Sequence, residues 1–359
     1  MVKLLGGDMI QTLPKLKKGP LEDSVLIEPN GHGLKLSVTD LEIFYSINIP
    51  GKINLPVMLK LSALKKLAKG IDMLDIERAA DTYSTVIRSE DSRYTLSGSC
   101  PEDFPEAPGH FVDALKTRVV AEDLLRAIKT TKGFICKDVA KEQLQVLVLR
   151  NTGGEMRVET TTGKILTRDS IPSEGDWPNI LLPAFAVKPL ETLLKNSNVV
   201  SIEFANKTLR VQGEECEAFF RLSAYDNWPN FDELIPKKGE ALTLIEKIPA
   251  NVLSKLIEKS SLLGNESSIS KFTIKGKSVE MRSTSGEYDL EQPTGCTSFE
   301  QEIATAGETD TGWFLSRNLM KLLKPLGERS VTIYFTGNKS VVTSDKFKGL
   351  SMRVKIKGS

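Results

Sequence analysis

The chain has 359 residues, of which 40% are hydrophobic and 26% are charged, and its formal net charge is +1. This is an ordinary globular composition with room for two or three domains. No apolar run approaches the length of a membrane span, and the amino terminus has no apolar segment before a small-residue cleavage site. We therefore expect a cytoplasmic protein without a membrane partner.

The few cysteines and histidines limit the chemistry that the chain can carry. The four cysteines are Cys100, Cys136, Cys216 and Cys296. None belongs to a CxxC pair, so reduced thiols in an intracellular protein are expected. The two histidines, His32 and His110, lie beside turns, and no P-loop, GxSxG or HExxH motif occurs. We predict no catalytic residue, no metal, no cofactor and no enzymatic activity.

The predicted elements recur three times in chain order. A helix candidate precedes an alternating strand that ends at Thr39-Asp40, and a leucine-rich helix follows. The same order returns around Thr161-Thr162 and around Thr284-Ser285, so the second residues of these pairs lie at 40, 162 and 285. The six helix candidates are residues 9–18, 56–69, 121–132, 183–196, 249–260 and 315–328.

Proline-rich segments close the first two repeats. The stretch "YTLSGSCPEDFPEAP" (94–108) returns as "FRLSAYDNWPNFDELIP" (220–236), and both read as connectors where proline stops strand pairing. A hairpin is predicted with its turn at residues 151–154. We predict an α+β protein with three similar domains, 1–112, 113–240 and 241–359, each with two helices packed on antiparallel sheets.

Positive charge is concentrated in the helix candidates. They hold 17 basic and 5 acidic residues, whereas the rest of the chain holds 31 basic and 42 acidic residues. Helix propensity does not explain this, because glutamate favours helices about as well as lysine does; chance in the choice of windows is the alternative. Phosphates attract lysine and arginine without base readout, and no aromatic ladder for single strands accompanies them, so the pattern favours duplex DNA. The predicted DNA contacts are Lys15, Lys17, Lys18, Lys65, Lys66, Lys69, Arg126, Lys129, Lys132, Lys188, Lys195, Lys255, Lys259, Arg317, Lys321 and Lys324.

The three-repeat layout, together with "LSVTDLEI", "MRVETTTGKILTR", both connectors and the C-terminal "LSMRVKI", resembles the bacterial DNA polymerase III beta subunit, the sliding clamp. The resemblance runs from about residue 20 to residue 354. It implies the DNA-clamp fold, with two copies joined head to tail as a homodimeric ring around double-stranded DNA. It also implies a processivity factor that tethers DNA polymerase, the clamp loader and other replication or repair proteins.

The resemblance also implies two protein-binding surfaces. By position, the ring contact would use Phe104 of one copy and Leu262 with Leu263 of the other. A pocket for a partner peptide, between the second and third domains, would comprise Leu144, Thr161, Gly163, Lys164, Ile165, Leu166, Pro229, Leu234, Met352, Arg353 and Val354.

Several departures from the family pattern point to a divergent clamp, from a mobile element or a second copy. Lys164-Ile165 replaces the usual His-Arg, the C-terminal segment has Ser351 and lacks the usual proline after its methionine, and the first domain is expected to be shorter at its amino end. Two alternatives stay open: a clamp-fold protein that no longer encircles DNA and binds or regulates a replication protein, and an unrelated three-repeat enzyme.

Overall fold

The computed structural model of the chain describes residues 6–16, 21, 23–31, 33–69, 74–79, 82–89, 92–109, 111, 113–175, 177–235, 243–261, 269–275, 278–284, 295–300, 309–336 and 339–352. The chain forms two compact units. Unit 1 comprises Met1–Arg126, Asn151–Gly154 and Pro172–Tyr225, and unit 2 comprises Ala127–Arg150, Glu155–Ile171 and Asp226–Ser359. The three-domain division at residues 112 and 240 stays a prediction.

Helices and strands alternate in groups along the described residues. The α-helices are α1 Gly6–Thr12, α2 Leu61–Leu67, α3 Ala121–Thr131, α4 Val187–Lys195, α5 Phe231–Leu234, α6 Ala250–Ser260 and α7 Ser316–Leu323. The strands are β1 Ser24–Asn30, β2 Gly33–Thr39, β3 Ile43–Ile53, β4 Val57–Lys60, β5 Leu74–Arg78, β6 Ser84–Ser89, β7 Ser92–Ser97, β8 Leu115–Val120, β9 Val146–Thr152, β10 Glu155–Thr161, β11 Ile165–Pro172, β12 Ile180–Pro183, β13 Val199–Ala205, β14 Thr208–Gln212, β15 Cys216–Arg221, β16 Thr243–Pro249, β17 Ile269–Lys275, β18 Ser278–Thr284, β19 Gly295–Glu300, β20 Thr309–Leu315, β21 Ser330–Thr336, β22 Lys339–Ser344 and β23 Phe347–Met352.

Unit 1 is built on one large sheet. Its main path runs β4-β1-β2-β3-β15-β14-β13-β8, and β5, β6 and β7 branch from β3. Strand β3 pairs antiparallel with β15, with Phe44 opposite Phe219, so strands from the first and second sequence repeats share this sheet. Alternate residues of β2, such as Leu34 and Leu36, are buried, while the intervening Lys35 faces outward.

Unit 2 combines two sheets with a shared apolar core. One contains the path β9-β10-β11-β23-β22-β21-β16, and the other has the order β19-β18-β17-β20. Phe335 lies 5.4 Å from both Phe272 and Phe314, measured between ring centroids, and α6 and α7 add leucines to the same cluster. Antiparallel pairing with helices on the sheets confirms the predicted α+β class.

A helix is present at each of the six predicted places, but several of the predicted helix ends are wrong. Helix α1 ends at Thr12, before Pro14, and α2 begins only at Leu61. Residues 57–60 form a strand instead because they pair with β1, as in Ile27 opposite Val57, and this tertiary pairing outweighs local helix propensity. Helix α7 ends at Leu323, and Pro325 follows within a 3₁₀ turn.

A one-turn helix within the second connector was missed. Helix α5 begins after Asn230, whose side chain accepts a hydrogen bond from the Asp232 backbone N–H. The predicted hairpin at 151–154 is confirmed as β9 and β10, with Gly153 and Gly154 both at positive φ. Among the described residues, no helix is long and apolar enough to cross a membrane.

Candidate functional site

The longer helices bury an apolar stripe and expose basic side chains. In α4, Leu190 and Leu193 are buried, whereas Lys188 and Lys195 are exposed. Helices α6 and α7 follow the same rule, with buried leucines on one side and exposed Lys255 and Lys259, or Arg317 and Lys321, on the other. Each of these helices therefore presents a cationic face away from its own sheet.

Most of the predicted DNA contacts can be placed. The exposed ones are Lys15, Lys66, Lys69, Lys129, Lys132, Lys188, Lys195, Lys255, Lys259, Arg317, Lys321 and Lys324. Arg126 is half-buried, with its Nε 3.8 Å from an Asp123 carboxylate oxygen. Lys17 and Lys18 lie outside the described residues.

Lys65 differs from the other predicted contacts. Its Nζ donates to the carbonyl oxygens of Gln11, at 3.1 Å, and Leu13, at 2.6 Å. The Gln11 amide in turn donates to the Lys65 carbonyl oxygen, at 2.7 Å. Burial, reinforced by the charge of Lys15, lowers the pKa of Lys65. Lys65 therefore ties the end of α1 to α2, while its neighbours Lys66 and Lys69 stay exposed.

The predicted peptide pocket begins at the tight turn between β10 and β11. The Thr161 hydroxyl donates to the Ile165 carbonyl oxygen, at 2.7 Å, and accepts from the Gly163 N–H, at 3.0 Å. Gly163 has φ of +84°, which favours glycine, and a side chain there would meet the half-buried Leu144. Lys164 is exposed at the tip of this turn.

The remaining predicted pocket residues fall into buried and exposed groups. Ile165 belongs to the main core of unit 2, and Leu166 packs in a separate cluster with Phe231 and Leu350. Leu234 is 40% exposed and Met352 is 39% exposed. Pro229 is also exposed, and Arg353 and Val354 lie outside the described residues. Leu234 of α5 and Met352 at the end of β23 are thus the large apolar side chains most exposed at this surface.

A buried ionic network beside this pocket was missed. Arg168 of β11 bonds a Glu159 carboxylate oxygen of β10 at 2.6 Å, and both side chains are almost fully buried. The Trp228 indole N–H donates to the other Glu159 oxygen, at 3.0 Å. Arg168 and Arg157 both bind Asp232 of α5, at 2.6 and 2.9 Å. The network, which we call the connector network, anchors the second proline-rich connector to the face of the sheet that carries Arg157, Glu159 and Arg168.

The pKa values of the two carboxylates in the connector network are shifted in opposite directions. Burial raises the pKa of Glu159, although Arg168 and the Trp228 indole oppose that shift. Burial also acts to raise the pKa of Asp232, but the bonds of this carboxylate to Arg168 and Arg157 outweigh burial and hold the pKa below its ordinary value. Alternation within "MRVETT" places Arg157 and Glu159 on one face, which is a sequence signal for a paired polar surface.

The predicted ring-contact residues are only partly placed. Phe104 is 9% exposed and packs against Leu26 and Met58 of its own unit. Little of its side chain is therefore available to another chain. Leu262 and Leu263 lie outside the described residues.

Comparison with known proteins identifies the fold. The beta sliding clamp of Synechocystis sp. is 22% identical over 363 aligned positions, covering 93% of this chain and 90% of that protein. The DNA polymerase III subunit beta of Pseudomonas aeruginosa superimposes with a TM-score of 0.81 at 18% identity, covering 98% of this chain and 96% of its own. The DNA polymerase sliding clamp of Bacillus subtilis gives 0.80 at 19% identity, covering 98% of both chains. No protein-family model matches the chain. The predicted clamp fold is confirmed, and the chain is a divergent relative of the bacterial sliding clamps.

Proposed function

We propose that this divergent relative of the bacterial clamps is itself a DNA sliding clamp, which two copies close head to tail around duplex DNA. In this role it is a non-enzymatic processivity factor in the cytoplasm. The three sequence repeats, with boundaries near residues 112 and 240, supply the segments of each half-ring.

The observation that carries the proposal is the placement of charge on the helices. The apolar stripes of α4, α6 and α7 are buried, so their basic residues form the faces that another molecule can reach. Lysine side chains without neighbouring base-reading groups bind phosphates of any sequence, which permits sliding. A closed ring cannot leave circular duplex DNA without opening. The protein therefore stays on DNA even though each lysine–phosphate contact is weak.

We propose that the exposed apolar residues of α5 and β23 bind the peptide of a polymerase or clamp loader. Leu234 and Met352 offer large apolar groups in a region held rigid by the connector network. Flexible segments bind such surfaces through a few apolar anchors. Lys164 would add charge at the rim, so partners with an acidic residue beside their apolar anchor are favoured.

Ring topology is tested by retention on circular DNA. With the matching clamp loader, the chain should stay on nicked circular plasmid through gel filtration and should leave after the plasmid is linearised. Equal loss from both forms would refute encirclement and favour a clamp-fold protein that acts off DNA. A Leu262→Asp, Leu263→Asp variant should run as a monomer in light scattering. A dimeric variant would refute the proposed contact between those leucines and Phe104.

A further inference from the structure

The two proline-rich connectors cover equivalent places on two sheets but fill them differently. The step between the repeats is 122 residues, so Ser37 and Ser46 of unit 1 correspond to Glu159 and Arg168 of unit 2. Ser37 and Ser46 are direct cross-strand partners on β2 and β3, and both are half-buried. Where unit 2 has a buried ion pair, unit 1 has two hydroxyl groups.

The first connector likewise carries a smaller side chain than the second connector at an equivalent position. Phe104-Pro105 corresponds to Trp228-Pro229, which places Ala107 where unit 2 has Phe231. Phe231 is fully buried over its sheet, whereas Ala107 is small and exposed. Unit 1 therefore lacks three large groups that close the equivalent place in unit 2: a guanidinium, a carboxylate and a phenyl ring. A cavity of about 260 Å³ lies there, between the connector and the sheet.

The walls of this cavity, which we call the serine groove, have a distinct chemistry. Phe44 and Phe219 stand opposite each other across β3 and β15, and both line the cavity together with Phe104 of the connector. Ser37 and Ser46, which are cross-strand partners, also line it. The charged groups that line it are Glu28, Glu106, Glu217 and Lys35, with Glu217 also bonded to Arg210 at 2.6 Å.

The equivalent place in unit 2 indicates which chemical group fits the serine groove. There the Arg168 guanidinium lies between two carboxylates, and its central carbon is 5.9 Å from the centre of the Phe231 ring. A guanidinium that enters the serine groove would find the same combination of carboxylates and aromatic faces, with serine hydroxyl groups as acceptors. Glu217 is already paired with Arg210, which leaves two carboxylates, Glu28 and Glu106, against Lys35 in the lining and favours a cation over an anion.

We propose that the serine groove is a second protein-docking site, which binds a short peptide segment carrying an arginine next to an apolar residue. The arginine enters between Ser37, Ser46 and the carboxylates, and the apolar residue packs on Phe44 and Phe219. The site lies entirely within unit 1, so it is separate from the α5 and β23 surface, and it shares only Phe104 with the proposed ring contact.

The test uses labelled peptides and the full chain. Fluorescein-labelled Gly-Leu-Arg-Phe-Gly should bind in fluorescence anisotropy with a Kd below about 1 mM, and at least about tenfold more tightly than Gly-Leu-Glu-Phe-Gly. Absence of binding at that concentration, or equal binding of the two peptides, would overturn the proposal.

Two variants locate the binding. Ser37→Glu with Ser46→Arg introduces the unit 2 ion pair into the groove, and Ala107→Phe covers it with the unit 2 aromatic ring. Each should weaken binding of the arginine peptide at least about tenfold, with circular dichroism confirming an intact fold. Because Ala107→Phe adds no charge, it keeps the test valid if the double variant fails to fold. Met352→Ala, at the other surface, should leave binding unchanged; loss of binding in that variant alone would place the peptide elsewhere and overturn the assignment.

Discussion

Removing two lysines from α4 provides a direct test of the cationic helix faces. Lys188 and Lys195 are seven residues apart, so at 3.6 residues per turn they lie on nearly the same side of the helix. Both are exposed, opposite the buried leucines of the same helix. The change Lys188→Gln with Lys195→Gln removes both charges while keeping an unbranched polar side chain of similar helix propensity.

The expected magnitude follows from counterion release. Each phosphate contact contributes about 0.9 to the slope of log K against log salt concentration for duplex DNA. Two lysines per chain become four in a two-chain ring, so the slope should fall by up to about 3.6 if all four contact phosphates. The cost in folding stability should stay below about 1 kcal/mol, because only Lys195 lies in the last turn, where it favours the helix dipole.

The measurement is duplex binding by fluorescence anisotropy across a salt series, with light scattering to confirm an unchanged oligomeric state. The matched control is Lys346→Gln with Lys348→Gln, which removes two exposed charges from the turn before β23 and from β23 itself. The control should keep the slope of the parent chain. An unchanged slope in the α4 variant, or an equal fall in both variants, would refute the assignment of the helix faces to DNA.

The other predictions concern stability, measured as the midpoint of urea unfolding. Arg168→Ala should lower the free energy of unfolding by about 3–5 kcal/mol, because it leaves a buried carboxylate unpaired. The control Arg282→Ala, in a largely exposed ion pair, should lower it by under about 1 kcal/mol. Equal losses in the two variants would contradict the burial of the connector network. Lys65→Met should lower the free energy of unfolding by about 1.5–3 kcal/mol, because the charged hydrogen bonds of Lys65 are lost. The control Lys66→Met should lower it by under about 0.5 kcal/mol. The reverse order would contradict the assignment of Lys65 as the residue that joins α1 to α2. Because the pKa of Asp232 is depressed in the folded chain, its stabilisation is present above its unfolded pKa and lost as pH falls through the folded value. The stability difference between the parent chain and Asp232→Asn should therefore shrink in acid, and a constant difference would argue against these bonds.

Periodic features of the fold were predictable from the sequence. The turn at 151–154 is marked by paired glycines, and the strands around it alternate, so β9 and β10 could be placed to within a residue or two. Helices α3 and α6 carry strong apolar spacing, and their predicted ends are close to those observed. These elements are determined by local pattern, which a single sequence displays.

Features that depend on partners distant in the chain were not predictable. The segment 57–60 reads as the start of a helix, and only its pairing with β1 makes it a strand. Lys65 looks like any helix lysine until α1 brings two carbonyl oxygens to its Nζ. The partners Arg168 and Asp232 are 64 residues apart, and no local pattern joins them. The assignment of Ile165 and Leu166 to a partner pocket came from the family resemblance alone; both side chains are buried, and their part in a pocket stays a prediction.

The two connector sites show that one repeated module is built differently at its two copies. A buried ion pair seldom adds net stability over apolar packing, but it tolerates few alternative partners. In unit 2 the connector network therefore fixes α5, and with it Leu234, in one position, as a preformed docking surface requires. In unit 1 the same place on the sheet carries Ser37 and Ser46, so the first connector is held through Phe104 packing and leaves the serine groove open. A buried ion pair at one copy of the module and an open groove at the other are the structural difference on which the two proposed docking surfaces depend.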